Sequence, residues 1–246
     1  MKRLPLLCVA LFSMLGAACD DAAGAGSGGA TSASDGSNGS STGTGMASAA
    51  CVASAAEITE LQSCAANTAT PVAVKAGCTP TFDGTLHADE WSDGTCFFAG
   101  DLTIVVKYGT DGLYLAASGA PTCNCPMGFV FDPDHAASPS GDEFVLVLRD
   151  DPTGKDGDRH DFVLMGGGFV AGAAPAGIVT ACPGMKPTPV RYEVKLPWAA
   201  IGAPNGAPHD LGFALYHANA HWPKGLVLDA MNAPTDPKSY GVLSLE

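Results

Sequence analysis

The segment YEVKLPWAAIG, residues 192–202, decides the fold, because its side chains alternate between apolar and polar before a proline ends the run. Tyr192, Val194 and Leu196 fall on one side of an extended chain. A period of two residues over this length predicts a strand with one face in a core. Trp198 follows directly, so we expect its ring to close the same core rather than to stack on a ligand.

Similar patterns occur on both sides of this strand. The segments LTIVVKY and LYLAAS, residues 102–108 and 113–118, are separated by GTDG and predict a hairpin. EFVLVLR, residues 143–149, is apolar on both faces and predicts a central strand. Further strands are predicted at residues 160–165, 211–217, 225–231 and 240–245. Many short strands with Gly, Pro and Asp turns indicate an all-β fold, an antiparallel, jelly-roll-like β-sandwich.

The N-terminal residues have the layout of a secretory signal. Lys2 and Arg3 precede an apolar run, and small residues follow it, so we expect residues 1–18 to be removed as a signal peptide. LGAAC, residues 15–19, resembles the lipobox of bacterial lipoproteins, which implies that Cys19 is acylated. The alternative is cleavage by an ordinary signal peptidase, which would release a soluble protein.

A segment rich in Gly, Ser, Ala and Thr follows the cleavage site. Residues 19–50 contain almost nothing that could be buried, so they predict a disordered, flexible tether. Such a tether suits a folded domain held on a membrane by lipid. The sequence thus predicts an exported lipoprotein, anchored in the periplasm or on the cell surface.

Cysteine usage also fits export, because disulfides form in oxidising compartments. We expect a short cysteine-containing prefix at residues 51–77 with a helical turn near Ala55–Leu61, and the sandwich at residues 78–246. Pairing cannot be read from spacing; our expectation is Cys51 with Cys64, Cys78 with Cys96, and Cys182 with Cys123 or Cys125.

The chain is acidic, with a formal net charge of −13, and it has no basic stripe. Nucleic acid is therefore excluded as an expected partner. The sequence contains no GxSxG, HExxH or phosphate-binding glycine loop, so we expect no enzymatic activity.

Several segments in order resemble family 9 carbohydrate-binding modules and related DOMON-like sandwiches. They are FDGTLHADEW (82–91), the 102–118 hairpin, VFDPDH (130–135), SGDEFVLVL (140–148), YEVKLPWAAIG, LGFALYHANA (211–220) and DPKSYGVLSL (236–245). The resemblance implies a non-catalytic sandwich with bound calcium and, in sugar-binding members, two aromatic rings that clasp a saccharide. It also implies that Trp91 and Trp198 are structural.

The expected clasp is incomplete. Pro234 and Thr235 stand where sugar-binding members carry an aromatic residue. Trp222, flanked by His217 and His221 after a strand, is the remaining candidate for binding a saccharide or cell-envelope polymer. The alternatives are that Trp222 covers the sandwich edge, so that the chain is a structural or adhesive surface domain without the sugar site, or that the domain binds haem through Met165, Met231 or His217.

Acidic residues close to glycines in an exported protein suit calcium, which prefers oxygen ligands. Asp132 and Asp134 are the preferred ligands, because VFDPDH also carries the family resemblance. The alternative is that these and the other acids are solvated turn residues; the others are Asp142, Glu143, Asp150, Asp151, Asp156, Asp158 and Asp161.

Overall fold

The computed structural model describes most of the chain after the tether. The described residues are 49–52, 56–58, 60–61, 70–119, 127–136, 138–149, 158–165, 168–181, 190–202, 209–217, 220–228 and 234–245. Within these ranges no helix is long and apolar enough to cross a membrane. The signal peptide, Cys19, Cys64, Cys123, Cys125, Cys182 and Met231 lie outside the described residues.

Strands dominate the described chain. They are β1 (Val72–Val74), β2 (Thr95–Ala99), β3 (Leu102–Gly109), β4 (Gly112–Gly119), β5 (Met127–Asp132), β6 (Phe144–Arg149), β7 (Asp158–Met165), β8 (Gly168–Ala171), β9 (Val179–Ala181), β10 (Val190–Pro197), β11 (His209–His217), β12 (Ala220–Trp222) and β13 (Gly241–Leu245). The helical elements are α1 (Ala88–Trp91) and 3₁₀ turns at Trp198–Ala200 and Pro237–Ser239.

The strands form two sheets, which confirms the β-sandwich predicted from the sequence. The larger sheet has the order β1-β13-β11-β5-β6-β7-β8, and β12 also pairs with β11. The smaller sheet has the order β2-β3-β4-β10-β9. All neighbouring strands pair in antiparallel fashion except β1 and β13, which are parallel. Because β1 precedes Cys78, the larger sheet includes part of the predicted prefix at residues 51–77. The predicted hairpin is present as β3 and β4, joined in register from Leu102↔Gly119 to Gly109↔Gly112.

The main core lies between the two sheets. The inward residues of β10, Tyr192, Val194 and Leu196, are buried there as predicted. Trp198 joins the same cluster, and its indole Nε1 donates to the carbonyl of Thr110 at 3.0 Å. Trp198 is therefore a core residue, since its ring is packed and its one polar atom is satisfied.

The outer face of each sheet is also partly covered. On the smaller sheet, Trp91 of α1 packs with Phe82 and Tyr114 in a second apolar cluster. On the larger sheet, Val145 and Val147 of β6 are buried in a third cluster, which confirms the prediction that β6 is central. Both clusters form because the flanking loops fold back over the sheets.

Two predicted elements are wrong where the structure describes them. Residues 225–228 form no strand, because the chain turns after β12. The residues described between 56 and 61 are not helical: Glu57 forms an isolated bridge with His87, and the amide of Leu61 donates to Ser118 Oγ at 2.8 Å. Contacts with the sheet therefore override the local helical pattern.

Candidate functional site

Three aspartates converge at one end of the larger sheet. Asp132 is the last residue of β5, Asp134 lies in the turn that follows, and Asp142 lies two residues before β6. Each offers a carboxylate oxygen, and these three oxygens lie within 4.8 Å of one another. Their spacing follows from the strand register, because Phe131 pairs with Phe144 and the residues beyond them leave the sheet side by side.

Asp132 is the centre of this cluster. Its side chain is fully buried, and neither carboxylate oxygen has a hydrogen-bond partner among the described residues. The pKa of Asp132 rises from its ordinary 3.8 to about 7, mainly because the side chain is buried and in part because Asp134 and Glu143 lie nearby. A buried carboxylate without a partner is costly. A cation bound between the aspartates would remove that cost.

Glu143 organises the loop that carries Asp142. Its side chain is fully buried, and its two carboxylate oxygens accept the amides of Ser140 at 2.8 Å and Gly141 at 2.9 Å. Gly141 has a φ of 93°, a conformation that strains any residue with a Cβ. The loop is therefore fixed by a buried acid and a glycine, and it holds Asp142 opposite the end of β5.

The donor set fits calcium, since all three side chains offer hard oxygen atoms and two of them are exposed to solvent. The structure thus brings together the two predicted ligands, Asp132 and Asp134, and adds Asp142. Asp161 is not part of this set: it accepts from Arg159 at 2.6 Å. Among the other acids, Asp150, Asp151 and Asp156 lie outside the described residues.

The structure contradicts the role expected of Trp222. Its ring is 1% exposed and lies in the main core, where its centroid is 4.8 Å from that of Phe97 and 5.6 Å from that of Phe213. A Cβ at Gly241 would come within 2.3 Å of the indole, so the chain leaves a gap for this ring. Trp222 points inward because it pairs with Leu215, an inward residue of β11. It cannot serve as a surface platform.

The histidines beside it do not form a ligand site either. His217 is 3% exposed and lies on the inward side of β11, whereas His221 pairs with Tyr216 on the outward side. Of the residues considered for haem, Met165 is 62% exposed at the end of β7, on a different strand from His217. The structure therefore does not bring the described candidates together.

The expected cysteine pairing is also wrong in part. Cys51 bonds to Cys78, which excludes both Cys51–Cys64 and Cys78–Cys96. Cys96 is disulfide-bonded as well. This pairing could not be predicted from the sequence, because it depends on a tertiary contact: residues 49–52 lie beside residue 79, and Cys51 N donates to the Thr79 carbonyl at 2.9 Å. The pairing expected for Cys182 falls outside the described residues.

Comparisons with known proteins give a distant structural similarity and no sequence match. No protein-family model and no curated protein matches the chain. Two solved structures are similar to it, both of a family 9 carbohydrate-binding module from Caldicellulosiruptor kristjanssonii, one in complex with cellotriose and one with glucose. Each is 14% identical with a TM-score of 0.49, covering 71% of this chain and 93% or 95% of its own. The β-sandwich fold of this chain rests on its own two sheets. The saccharides belong to those structures, and this chain's site rests on its own residues.

Proposed function

We propose that this chain is a non-catalytic, exported lipoprotein whose carbohydrate-binding-like sandwich binds calcium at Asp132, Asp134 and Asp142. The observation that supports the proposal is the fully buried carboxylate of Asp132. Its two oxygens have no hydrogen-bond partner in the described part of the chain, and two exposed aspartates lie beside it. Such a group is stable when a cation neutralises it.

The residues that would hold the ion have separate roles. Asp132 would anchor it at the end of β5, and Asp134 and Asp142 would bind from the two ends of the connection between β5 and β6. Bound calcium would supply positive charge to a cluster that is otherwise repulsive. Glu143 lies behind the loop and holds it in place through two amides. The expected result is a stiffer junction between β5 and β6.

The location follows from the N-terminal sequence. A signal peptide, an acylated Cys19 and a tether of about thirty residues would display the sandwich at a distance from the membrane. A stable anchor needs more than one acyl chain. The Cys51–Cys78 disulfide is consistent with export, since such bonds persist in oxidising compartments.

Calcium titration of the full chain in detergent tests this proposal. We expect calcium to raise the midpoint of thermal unfolding and to bind with measurable heat in calorimetry. Asp142→Asn should abolish both effects, whereas Asp101→Asn, an exposed acid between β2 and β3, should abolish neither. Wild-type protein that shows no heat and no shift at millimolar calcium would contradict the site.

A second candidate function is saccharide binding, and the outward face of the larger sheet offers a surface for it that does not involve Trp222. Tyr216, Phe162 and Phe169 are half-buried on the outward face of the larger sheet. A Cβ at Gly128 would come within 2.1 Å of the Tyr216 ring, so this ring covers β5 at that glycine. Half-buried aromatic rings on a sheet are suited to stacking against sugar rings.

A glycan array with and without calcium tests this second function. Binding that is lost in Tyr216→Ala, with the unfolding midpoint still above the assay temperature, would support the outward face as the saccharide site. If the folded wild type binds no glycan, the chain is better described as a structural or adhesive surface domain that keeps the fold alone.

A further inference from the structure

A lysine is buried directly against the disulfide that joins Cys51 to Cys78. Lys107 of β3 is 0% exposed, and its Nζ lies 3.4 Å from each of the two sulfur atoms. Both cysteines are themselves half-buried, so the pair lies near the surface rather than in the core. The fully buried amine therefore contacts a disulfide whose two residues are partly exposed.

Burial disfavours the charged form of Lys107, and neighbouring groups offset part of that cost. Its Nζ donates to Asp93 Oδ1 at 2.7 Å and to the backbone carbonyl of Glu90, and it lies 5.4 Å from the centroid of the Trp91 ring. Burial lowers the pKa of Lys107, and the Asp93 carboxylate and the charge of Glu90 oppose that change. A carboxylate and an aromatic face both stabilise an ammonium group.

We propose that Cys51–Cys78 is a thiol–disulfide exchange site, at which an external dithiol is the reductant and the Lys107 ammonium stabilises the departing sulfur. One thiolate of the dithiol attacks one sulfur of the pair, forming a mixed disulfide, and the other cysteine leaves as a thiolate. The second thiol of the reductant then resolves the mixed disulfide. Two electrons pass to the cysteine pair, the dithiol becomes a disulfide, and protons from the dithiol and solvent complete the two thiols.

The position of Lys107 explains why this bond should react faster than an ordinary buried disulfide. The leaving thiol departs faster as its pKa falls, and a neighbouring lysine lowers a thiol pKa. Because Nζ is equally close to both sulfurs, either cysteine can leave with the same assistance. The ammonium also stabilises the reduced pair, since it gains a thiolate partner.

Exchange at this site would act on the attachment of the N-terminal segment. Around the bond, Cys51 N donates to the Thr79 carbonyl at 2.9 Å, and Thr79 N donates to the Ala49 carbonyl at 3.1 Å. Cys78 N donates to Asp93 Oδ2 at 2.8 Å. After reduction, residues 49–51 are held to Thr79 by two backbone hydrogen bonds and no longer by the disulfide. The end of the tether can then separate from the sandwich.

The test measures how fast dithiothreitol reduces each disulfide of the folded full chain, with quenching by alkylation and mass spectrometry of the cysteine peptides. The wild-type Cys51–Cys78 bond should be reduced faster than the bond that contains Cys96, which serves as an internal reference. Lys107→Met should slow the Cys51–Cys78 reaction about tenfold and leave the reference unchanged. Lys107→Arg, which keeps the charge, should retain most of the wild-type rate.

The direction of the change separates this proposal from a merely structural role. Loss of a buried contact loosens the fold and speeds reduction, whereas loss of the charge is expected to slow it. A Cys51–Cys78 bond that reacts at the wild-type rate or faster in Lys107→Met overturns the proposal. If that variant does not fold, Asp93→Asn decides: loss of the carboxylate that stabilises the Lys107 ammonium should slow reduction of this bond alone, and an unchanged or faster rate overturns the proposal.

Discussion

The indole of Trp222 stacks obliquely on the ring of Phe97 across the interior of the sandwich, with centroids 4.8 Å apart and planes at 43°. Trp222 belongs to the larger sheet and Phe97 to the smaller, so this contact joins the two layers. Trp222→Ala should lower the free energy of unfolding by about 3 to 5 kcal/mol, because it leaves a cavity where the sheets meet. Urea unfolding measures the change.

The matched control is an exposed apolar residue a few positions away. Val227 is 53% exposed, and Val227→Ala should change the free energy of unfolding by less than about 0.5 kcal/mol. Trp198→Ala should resemble Trp222→Ala, since Trp198 is also in the core. A Trp222→Ala variant as stable as the control would show that its ring adds nothing to the contact between the sheets.

The tryptophans show how far local sequence could predict this structure. The prediction that Trp198 is a core residue is correct, because Trp198 directly follows an eight-residue strand with a clear period of two. The prediction that Trp222 binds a ligand is wrong, because β12 has three residues, too few to show a period of two. The inward direction of the Trp222 side chain depends on the pairing of β12 with β11. The local pattern around HANAHW resembles a loop, and only the tertiary partner reveals a strand.

The acidic residues also show that local sequence cannot predict contacts that depend on strand pairing. Asp132 and Asp134 are two residues apart, so a local motif could predict them, whereas the approach of Asp142 depends on the pairing of β5 with β6. The alternation in β10 correctly placed Glu193 on the face opposite the core, yet that face is covered and Glu193 is 1% exposed. A period of two identifies the face of a strand but not what packs against that face.

Glu143 offers a prediction about calcium that does not involve a proposed ligand. Glu143→Gln replaces one acceptor oxygen with an amide that cannot accept from Ser140 or Gly141, so the loop that carries Asp142 loses one of its two supports. Calcium affinity should fall about tenfold or more, the range for groups that position metal ligands. Calorimetry of the wild type and the variant measures the difference.

The outcome for Glu143→Gln has two clear controls. Circular dichroism should show the same strand content in both proteins, and Glu57→Gln, at an exposed ion pair with Arg191, should keep the wild-type calcium affinity. Equal affinities for wild type and Glu143→Gln would mean that the loop keeps its shape without this buried carboxylate.

Membrane attachment can be tested at Cys19 alone. A fatty-acid analogue should label the wild type and leave Cys19→Ser unlabelled, because the proposed acyl chains would join the protein at this thiol and the new N-terminus. Detergent phase partitioning should move the wild type to the detergent phase and the variant to the aqueous phase. Aqueous partitioning of both proteins would favour ordinary signal cleavage instead.

Glu193 should make stability depend on pH in an unusual direction. Its pKa rises from the ordinary 4.5 to about 8, mainly because the side chain is buried. The Gly84 amide, which donates to Glu193 Oε2 at 2.9 Å, acts to lower this pKa, and the charges of Asp83 and Glu90 act to raise it. Because the folded pKa exceeds the unfolded one, the folded state binds the proton more tightly. The contribution of Glu193 protonation to the free energy of unfolding is complete below pH 4.5 and is lost progressively as the pH rises to about 8.

Urea unfolding at a series of pH values measures this effect, which should amount to several kcal/mol between the two ends of the window. Glu193→Gln is the informative variant, because glutamine is neutral at every pH and still offers an oxygen to the Gly84 amide. Its stability should vary much less across the window than that of the wild type. If both proteins show the same pH profile, Glu193 is ionised in the folded state at neutral pH, and the loop at residues 81–87 must then stabilise the charge through more than the single Gly84 amide.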